Sequence, residues 1–208
     1  MKLYSFSGSC ALATHIVLEW IGEPYTVQLM QKEDLGTPAY RKLNPLGKVP
    51  TIDDNGWVLY ENAAILNYLA DKHPEAKLGG DGTPRGRAEV NRWLAIINSD
   101  MHPTFKPLFG ATSYLGDDAA IEKTKNAACA ELRTYFERLD GHLAGQEWLA
   151  GTRSIADPYL FVLLLWCGLV KVDLSGLENL KKFDQRMRAD AGVQRALKGE
   201  HLGPKQAA

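Results

Sequence analysis

A few side chains in this 208-residue chain are of types that do chemistry. Cys10 follows the turn Ser7-Gly8-Ser9 and opens an apolar helical pattern. A thiol there sits at the positive end of a helix dipole, which favours thiolate and predicts a lowered pKa and a nucleophilic sulfur. Position 13 is Ala13, so a Cys-x-x-Cys dithiol cycle is absent, and a single thiol needs an external thiol to resolve it. The competing reading is a small buried residue near a helix start. His102 lies beside Pro103, where a kinked helix can line a cleft and a histidine can donate or shuttle a proton. The competing reading there is a hydrogen-bonded interhelical histidine. Cys129 and Cys167 fall on apolar helix faces and read as structural, as does the mid-helix His15.

The stretch Gly47 to Asn62 supplies a different kind of chemistry, through backbone. Pro50 opens the apolar strand Val49 to Ile52 and holds Val49 extended. If Val49-Pro50 is cis, as roughly 5–6% of such bonds are, the Val49 amide and carbonyl turn from the sheet and stay unpaired. Asp54-Asn55-Gly56 predicts a hairpin turn into a short strand, Trp57 to Leu59. Glu61-Asn62 then stands at the start of a helix carrying Ala63, Ile65, Leu66 and Leu69. An acid and an amide there also suit plain helix-start chemistry. An unpaired strand end takes an extended peptide, and a helix N-terminus takes a carboxylate. The pair suits a small peptide-like anion.

The elements that position these groups fall into two sets. Lys2–Phe6 alternates as a strand, 10–21 has helical spacing closed by Gly22 and Pro24, and Tyr25–Leu29 alternates again. That is a βαβ unit with parallel strands. With a short helix near Tyr40–Leu43, the hairpin and the helix 61–72, the predicted order is β-α-β-α-β-β-α over residues 1–75. A Pro- and Gly-rich linker covers 73–83. Beyond it, 84–203 reads as all helix. Thr83-Pro84 caps a long helix through Met101, which Pro103 and Pro107 kink or end. Asp117 or Asp118 caps the next, with Leu132, Phe136 and Leu139 on one face. Ser154-Ile-Ala-Asp157 resembles a capping box before Tyr159–Cys167, which is apolar on every side and so belongs at a helical core. Leu177–Arg188 predicts a last helix, and the tail from Gly199 is expected to be poorly ordered.

Composition bounds the function classes. The chain is 45% hydrophobic and 24% charged with net charge −1, an ordinary globular balance without a field for nucleic acid or anionic membranes. The apolar run Tyr159–Cys167 is about half a membrane span. Three dispersed cysteines form no disulfide framework or zinc site, so no metal is expected and a cytoplasmic location is. The N-terminus enters a strand directly, unlike a signal peptide.

In combination the motifs carry more. Cys10 at the first helix start, Asn44-Pro45-x-Gly47-x-Val49-Pro50, Leu59-x-Glu61-Asn62-x-Ala64-Ile65 and Ser154-Ile-Ala-Asp157 resemble glutathione transferases. Gly-Ser-Cys10-Ala-Leu-Ala and Met-His102-Pro-Thr-Phe resemble the bacterial beta class. The resemblance implies a thioredoxin-like N-terminal domain, an all-helical C-terminal domain and a homodimer binding glutathione as co-substrate. It implies that Val49, before cis Pro50, pairs with the cysteinyl backbone of glutathione. It gives Glu61 and Asn62 to the γ-glutamyl end and Lys32 to a carboxylate. Cys10 and His102 would flank the sulfur, and Phe105, Phe109 and Trp166 would wall the pocket for a small electrophile. The implied reaction is conjugation of glutathione to an electrophilic carbon, with thiol–disulfide exchange through Cys10 as a second activity. The alternatives are a non-catalytic ligand- or protein-binding relative and a glutathione-dependent isomerase or dehalogenase. Asn62 replaces the usual Ser, and its amide is expected to keep an altered contact. Pro103 stands where the class commonly has Lys.

Overall fold

A computed structural model describes residues 1–203. The N-terminal elements are β1 (Lys2–Ser5), α1 (Ala11–Ile21), β2 (Thr26–Leu29), α2 (Pro38–Leu43), β3 (Thr51–Asp54), β4 (Trp57–Tyr60) and α3 (Asn62–Lys72). This is the expected order. The sheet runs β2-β1-β3-β4, with β1 and β2 parallel and the other two pairings antiparallel. Leu3 stands opposite Val27 on one side and Ile52 on the other. Gly22 ends α1 at φ 81°, and Asn55 and Gly56 take positive φ at the hairpin, as their types permit. The third strand begins later than expected, at Thr51, because Val49 and Pro50 stand outside the ladder.

The helical set comprises α4 (Pro84–Ala95), a π-helical turn (Ile96–Met101), α5 (His102–Thr104), α6 (Asp118–His142), α7 (Ala156–Val170), α8 (Glu178–Ala189) and α9 (Ala191–Gly199). Thr83 caps α4 by accepting from Gly86 N, with Pro84 at the first position. Asp117, rather than Asp118, caps α6 through the N–H groups of Ala119 and Ala120. The expected long helix to Met101 widens after Ala95. His102 N reaches back to Ile97 O, and Pro103 has no N–H with which to continue an α ladder.

Residues 156–164 of α7 are all buried, and α7 packs on α1 and α4. Burying each large apolar side chain there contributes about 1.5–3 kcal/mol. Asp157 holds the start of α7. Its carboxyl accepts from Leu149 N at 3.0 Å, from Ser154 N at 2.7 Å and from Ser154 Oγ at 2.9 Å. Burial nevertheless pushes its pKa up to about 6.

The C-terminal segment departs from expectation. Asp190 caps α9 by accepting from Val193 N, and α9 lies along α1, where a Cβ on Gly199 would meet His15 at 3.0 Å. Asp190 followed by Val193, Ala196 and Leu197 was the overlooked helix signal. Gly199 is therefore the end of an ordered helix, and the chain stays anchored past it. Glu200 is fully buried, accepting from Ser5 Oγ at 2.7 Å and Gly8 N at 3.1 Å, with His15 Nδ1 at 3.3 Å. The part of the predicted tail from 204 onward lies outside the described residues.

Candidate active site

A cleft of about 630 Å³ opens between the sheet unit and the helices. Cys10, Lys32, Val49, Pro50, Glu61, Asn62 and His102 all line it. A larger cleft of about 890 Å³ runs along the 74–87 connection, and among its lining residues there is no cysteine or histidine.

The loop before β3 is built to present Val49. Tyr40 Oη and Asn44 Nδ2 both donate to Lys48 O, at 2.7 and 2.8 Å. Asn44 Oδ1 accepts from Leu46 N. Gly47 has φ 62°, and a Cβ there would meet Leu35 O at 2.7 Å, so only glycine fits. The Val49-Pro50 bond is cis. Val49 N has no hydrogen-bond acceptor among the described residues, while Val49 O accepts from Cys10 Sγ at 3.7 Å.

Glu61 is exposed and stands at φ 75°, a conformation uncommon outside glycine. Held there at a cost of about 1–3 kcal/mol, it precedes α3 with its side chain on the cleft. Asn62 differs from the expected role. Its side chain is buried, Oδ1 accepts from Thr14 Oγ1 at 2.8 Å and Nδ2 donates to Cys10 O at 3.0 Å. It is a strut between the starts of α1 and α3, with much of its side-chain capacity already taken by protein.

Cys10 corrects the expected thiolate. The sulfur is partly reachable from the cleft, yet it is densely surrounded by protein, and its thiol pKa is pushed up to about 12. Burial is the largest cause, with the charges of Glu61 and Glu200 adding to it. A helix terminus contributes up to about 2 kcal/mol in favour of thiolate. Desolvation outweighs it here.

Across the cleft, His102 is lowered to about 4, first by burial and then by Lys106 and Lys48. It is neutral at physiological pH. Its Nδ1 lies 2.6 Å from Tyr159 Oη, which also contacts Asn98 Oδ1 at 3.1 Å. Asn98, Tyr159, Lys48 and Lys106 line the cleft too, and none was singled out from sequence. Tyr159 was hidden in an apolar run. Lys106, three residues after Pro103, lines the cleft with it.

The aromatic residues do not form an open wall. Phe105 is fully buried and Trp166 is buried to 5% exposure, whereas Phe109 is 53% exposed. Trp166 packs edge-on to His102 at 4.8 Å, Phe105 at 5.4 Å and Phe109 at 5.2 Å, and its Nε1 donates to Gly8 O at 2.8 Å. None of the three lines the 630 Å³ cleft: Phe105 and Trp166 belong to the core, and Phe109 alone of the three offers a large free surface.

The arrangement leaves unpaired strand backbone, a helix N-terminus, an acid and several lysines around a neutral imidazole and a protonated thiol. Comparison with known proteins identifies the family. Residues 8–72 match the family model described as glutathione S-transferase, N-terminal domain, and 88–190 match the C-terminal domain. Glutathione S-transferase GST-4.5 of Xanthomonas campestris is 53% identical, over 97% of this chain and 100% of that protein. A glutathione S-transferase structure from Xylella fastidiosa is 47% identical with a TM-score of 0.95, covering 97% of this chain and 98% of that one. The beta-class enzyme of Sphingomonas chungbukensis superposes with a TM-score of 0.86 at 35% identity, over 97% and 100%. The chain belongs to the glutathione S-transferase family, with a thioredoxin-like N-terminal domain and a helical C-terminal domain.

Proposed function

We propose that glutathione lies in the 630 Å³ cleft and that its sulfur is transferred to an electrophilic carbon of a small second substrate. The observation that carries this reading is the meeting in one cleft of Val49, the α3 N-terminus and His102. The free Val49 N–H suits the cysteinyl carbonyl of an extended peptide. Glu61 suits the γ-glutamyl ammonium, and the first-turn N–H groups of α3 suit its carboxylate. Lys32 and Lys48 suit the glycyl carboxylate. The thiol of glutathione has an ordinary pKa near 8.5, so the cleft must favour its thiolate. The cations Lys48 and Lys106 and a hydrogen bond from His102 do so. Phe109 offers the electrophile an aromatic surface.

Residues 1–75 then form the glutathione-binding unit, and 84–203 carry the second-substrate side. We also propose a homodimer in the cytoplasm. Among the described residues no helix is long and apolar enough to cross a membrane. Light scattering on the purified protein tests the dimer.

The function is tested by calorimetry with glutathione and by initial rates with an activated aryl chloride, wild type beside Glu61→Ala. Saturable binding with turnover is expected, and Glu61→Ala weakens binding about tenfold or more through loss of a charged hydrogen bond. Binding without turnover across aryl halides, epoxides and isomerisable substrates would instead support a non-catalytic ligand-binding protein.

A further inference from the structure

The second substrate must meet the glutathione sulfur beside the wall that carries His102. Asn98, His102 and Lys106 all line the cleft and stand four residues apart. An amide, an imidazole and an ammonium thus share one side of the π-helical turn and the chain that follows it. The large apolar residues between them turn away, since Met101 and Phe105 are fully buried in the core. Phe6 and Leu35, the large apolar side chains on the cleft, both belong to the sheet unit. The His102 wall therefore meets a substrate with polar groups.

The charge on the cleft is also one-sided. Lys32, Lys48 and Lys106 line it against one acid, Glu61, so its walls carry a net +2. Among the described residues none of these three lysines is in an ion pair. The ends of glutathione are answered on the sheet unit. Its ammonium suits Glu61, its glycyl carboxylate suits Lys32 and Lys48, and its other carboxylate suits the first-turn N–H groups of α3. Lys106 stands on the other wall, where the peptide presents its sulfur. Conjugation turns a sulfur anion into a neutral thioether. Lys106 then keeps a counter-charge at the end of the reaction only if the second substrate brings one.

We propose that the second substrate is an acidic electrophile, whose carboxylate pairs with Lys106 while its reactive carbon faces the glutathione sulfur beside His102. This inference rests on the function proposed above and names the substrate class for it. In the step, an electron pair of the thiolate forms the C–S bond. The bond to the leaving group breaks, and that group departs as an anion with its electron pair. Lys106 neither gains nor loses a proton. The aromatic body of such a substrate reaches toward Phe109, three residues beyond Lys106 and 53% exposed.

The test compares two activated aryl chlorides that differ chiefly in charge, 4-chloro-3-nitrobenzoate and 4-chloro-3-nitrobenzamide, at saturating glutathione and neutral pH. Each kcat/KM is divided by the uncatalysed rate with glutathione, which removes the difference in intrinsic reactivity. The wild type should favour the benzoate several-fold, and added salt should shrink the preference. Lys106→Met should lower the benzoate-to-amide ratio about fivefold, the size of one exposed ion pair, and Lys106→Arg should restore it. Lys32→Met should weaken glutathione binding and leave the ratio in place. Lys106 is exposed, so its variants are expected to fold, and thermal unfolding checks that they do. A wild-type ratio of one or below, or a ratio unmoved in Lys106→Met, overturns the acidic electrophile while the transferase reading stands. A ratio that falls as far in Lys32→Met also overturns it, because a diffuse field would then be selecting the acid. Failure to bind glutathione or to turn over either chloride sinks the function above and this inference with it.

Discussion

Cys10 and His102 face one cleft from opposite sides, and burial moves them in opposite directions. The thiol rises to about 12 and the imidazole falls to about 4. The cause is the same, since a dry site favours whichever form is neutral. The neighbours differ. Acids, Glu61 and Glu200, raise Cys10 while Lys48 opposes them, whereas only the cations Lys106 and Lys48 bear on His102. A sulfur anion is thus penalised at Cys10. Cys10 itself rests as S–H donating to Val49 O.

The two walls are also held differently. The Cys10 wall is fixed by short turns and by Glu200, which returns from the far end of the chain. The His102 wall is fixed by α7, whose start depends on Asp157. The largest effect should come from undermining α7. Asp157→Ala leaves two buried N–H groups without an acceptor and should lower stability by about 3 kcal/mol. A urea midpoint measures it, and a loss under about 1 kcal/mol would show that the wall stands without its cap.

Glu200→Ala attacks the other wall. It strands Ser5 Oγ and Gly8 N and should lower stability by about 2 kcal/mol. Hydrogen exchange at the Gly8 amide should accelerate, and if it does not, Glu200 is no clamp on the Cys10 loop.

The pH response should sharpen the contrast. His102 binds its proton less readily folded than unfolded, so the unfolded state takes up more protons as pH falls. Stability from this group is therefore intact above its ordinary value of 6.5 and declines as pH drops toward about 4. The loss should be about 2 kcal/mol, after discounting for the ring's partial exposure, and His102→Gln should remove it. A conjugation rate that titrates with a histidine pKa between 6 and 7 would contradict a neutral His102.

The smallest effect on conjugation is expected at Cys10 itself. Cys10→Ala should change kcat/KM for an activated aryl chloride by no more than about threefold. Intact mass after incubation with oxidised glutathione reads the exchange activity. Its high pKa predicts slow adduct formation on wild type, and none should form on Cys10→Ala. Fast adduct formation at neutral pH would show that the thiol is activated despite its burial.

Much of the sheet unit was legible because its signals are local. Gly22, Asn55-Gly56 and Thr83-Pro84 each dictate a backbone conformation within a few residues of themselves. Asn44-x-x-Gly47 before Val49-Pro50 likewise announces a loop that presents backbone, and Glu61 announces the α3 start beside it. The sequence by itself therefore determined the order of elements over residues 1–75, the two-part architecture and the residues that meet at the sheet edge of the cleft. Only the tertiary structure decided the sign of the Cys10 shift, because desolvation depends on every atom that surrounds the sulfur. It alone joined Glu200 to Ser5 and Gly8, across more than 190 residues of chain. It alone placed the Tyr159 hydroxyl on His102 and Lys106 at the cleft. Hydrogen bonds between distant segments leave no periodicity to read, and a tyrosine inside a buried apolar run shows its polar end only when a partner is folded against it.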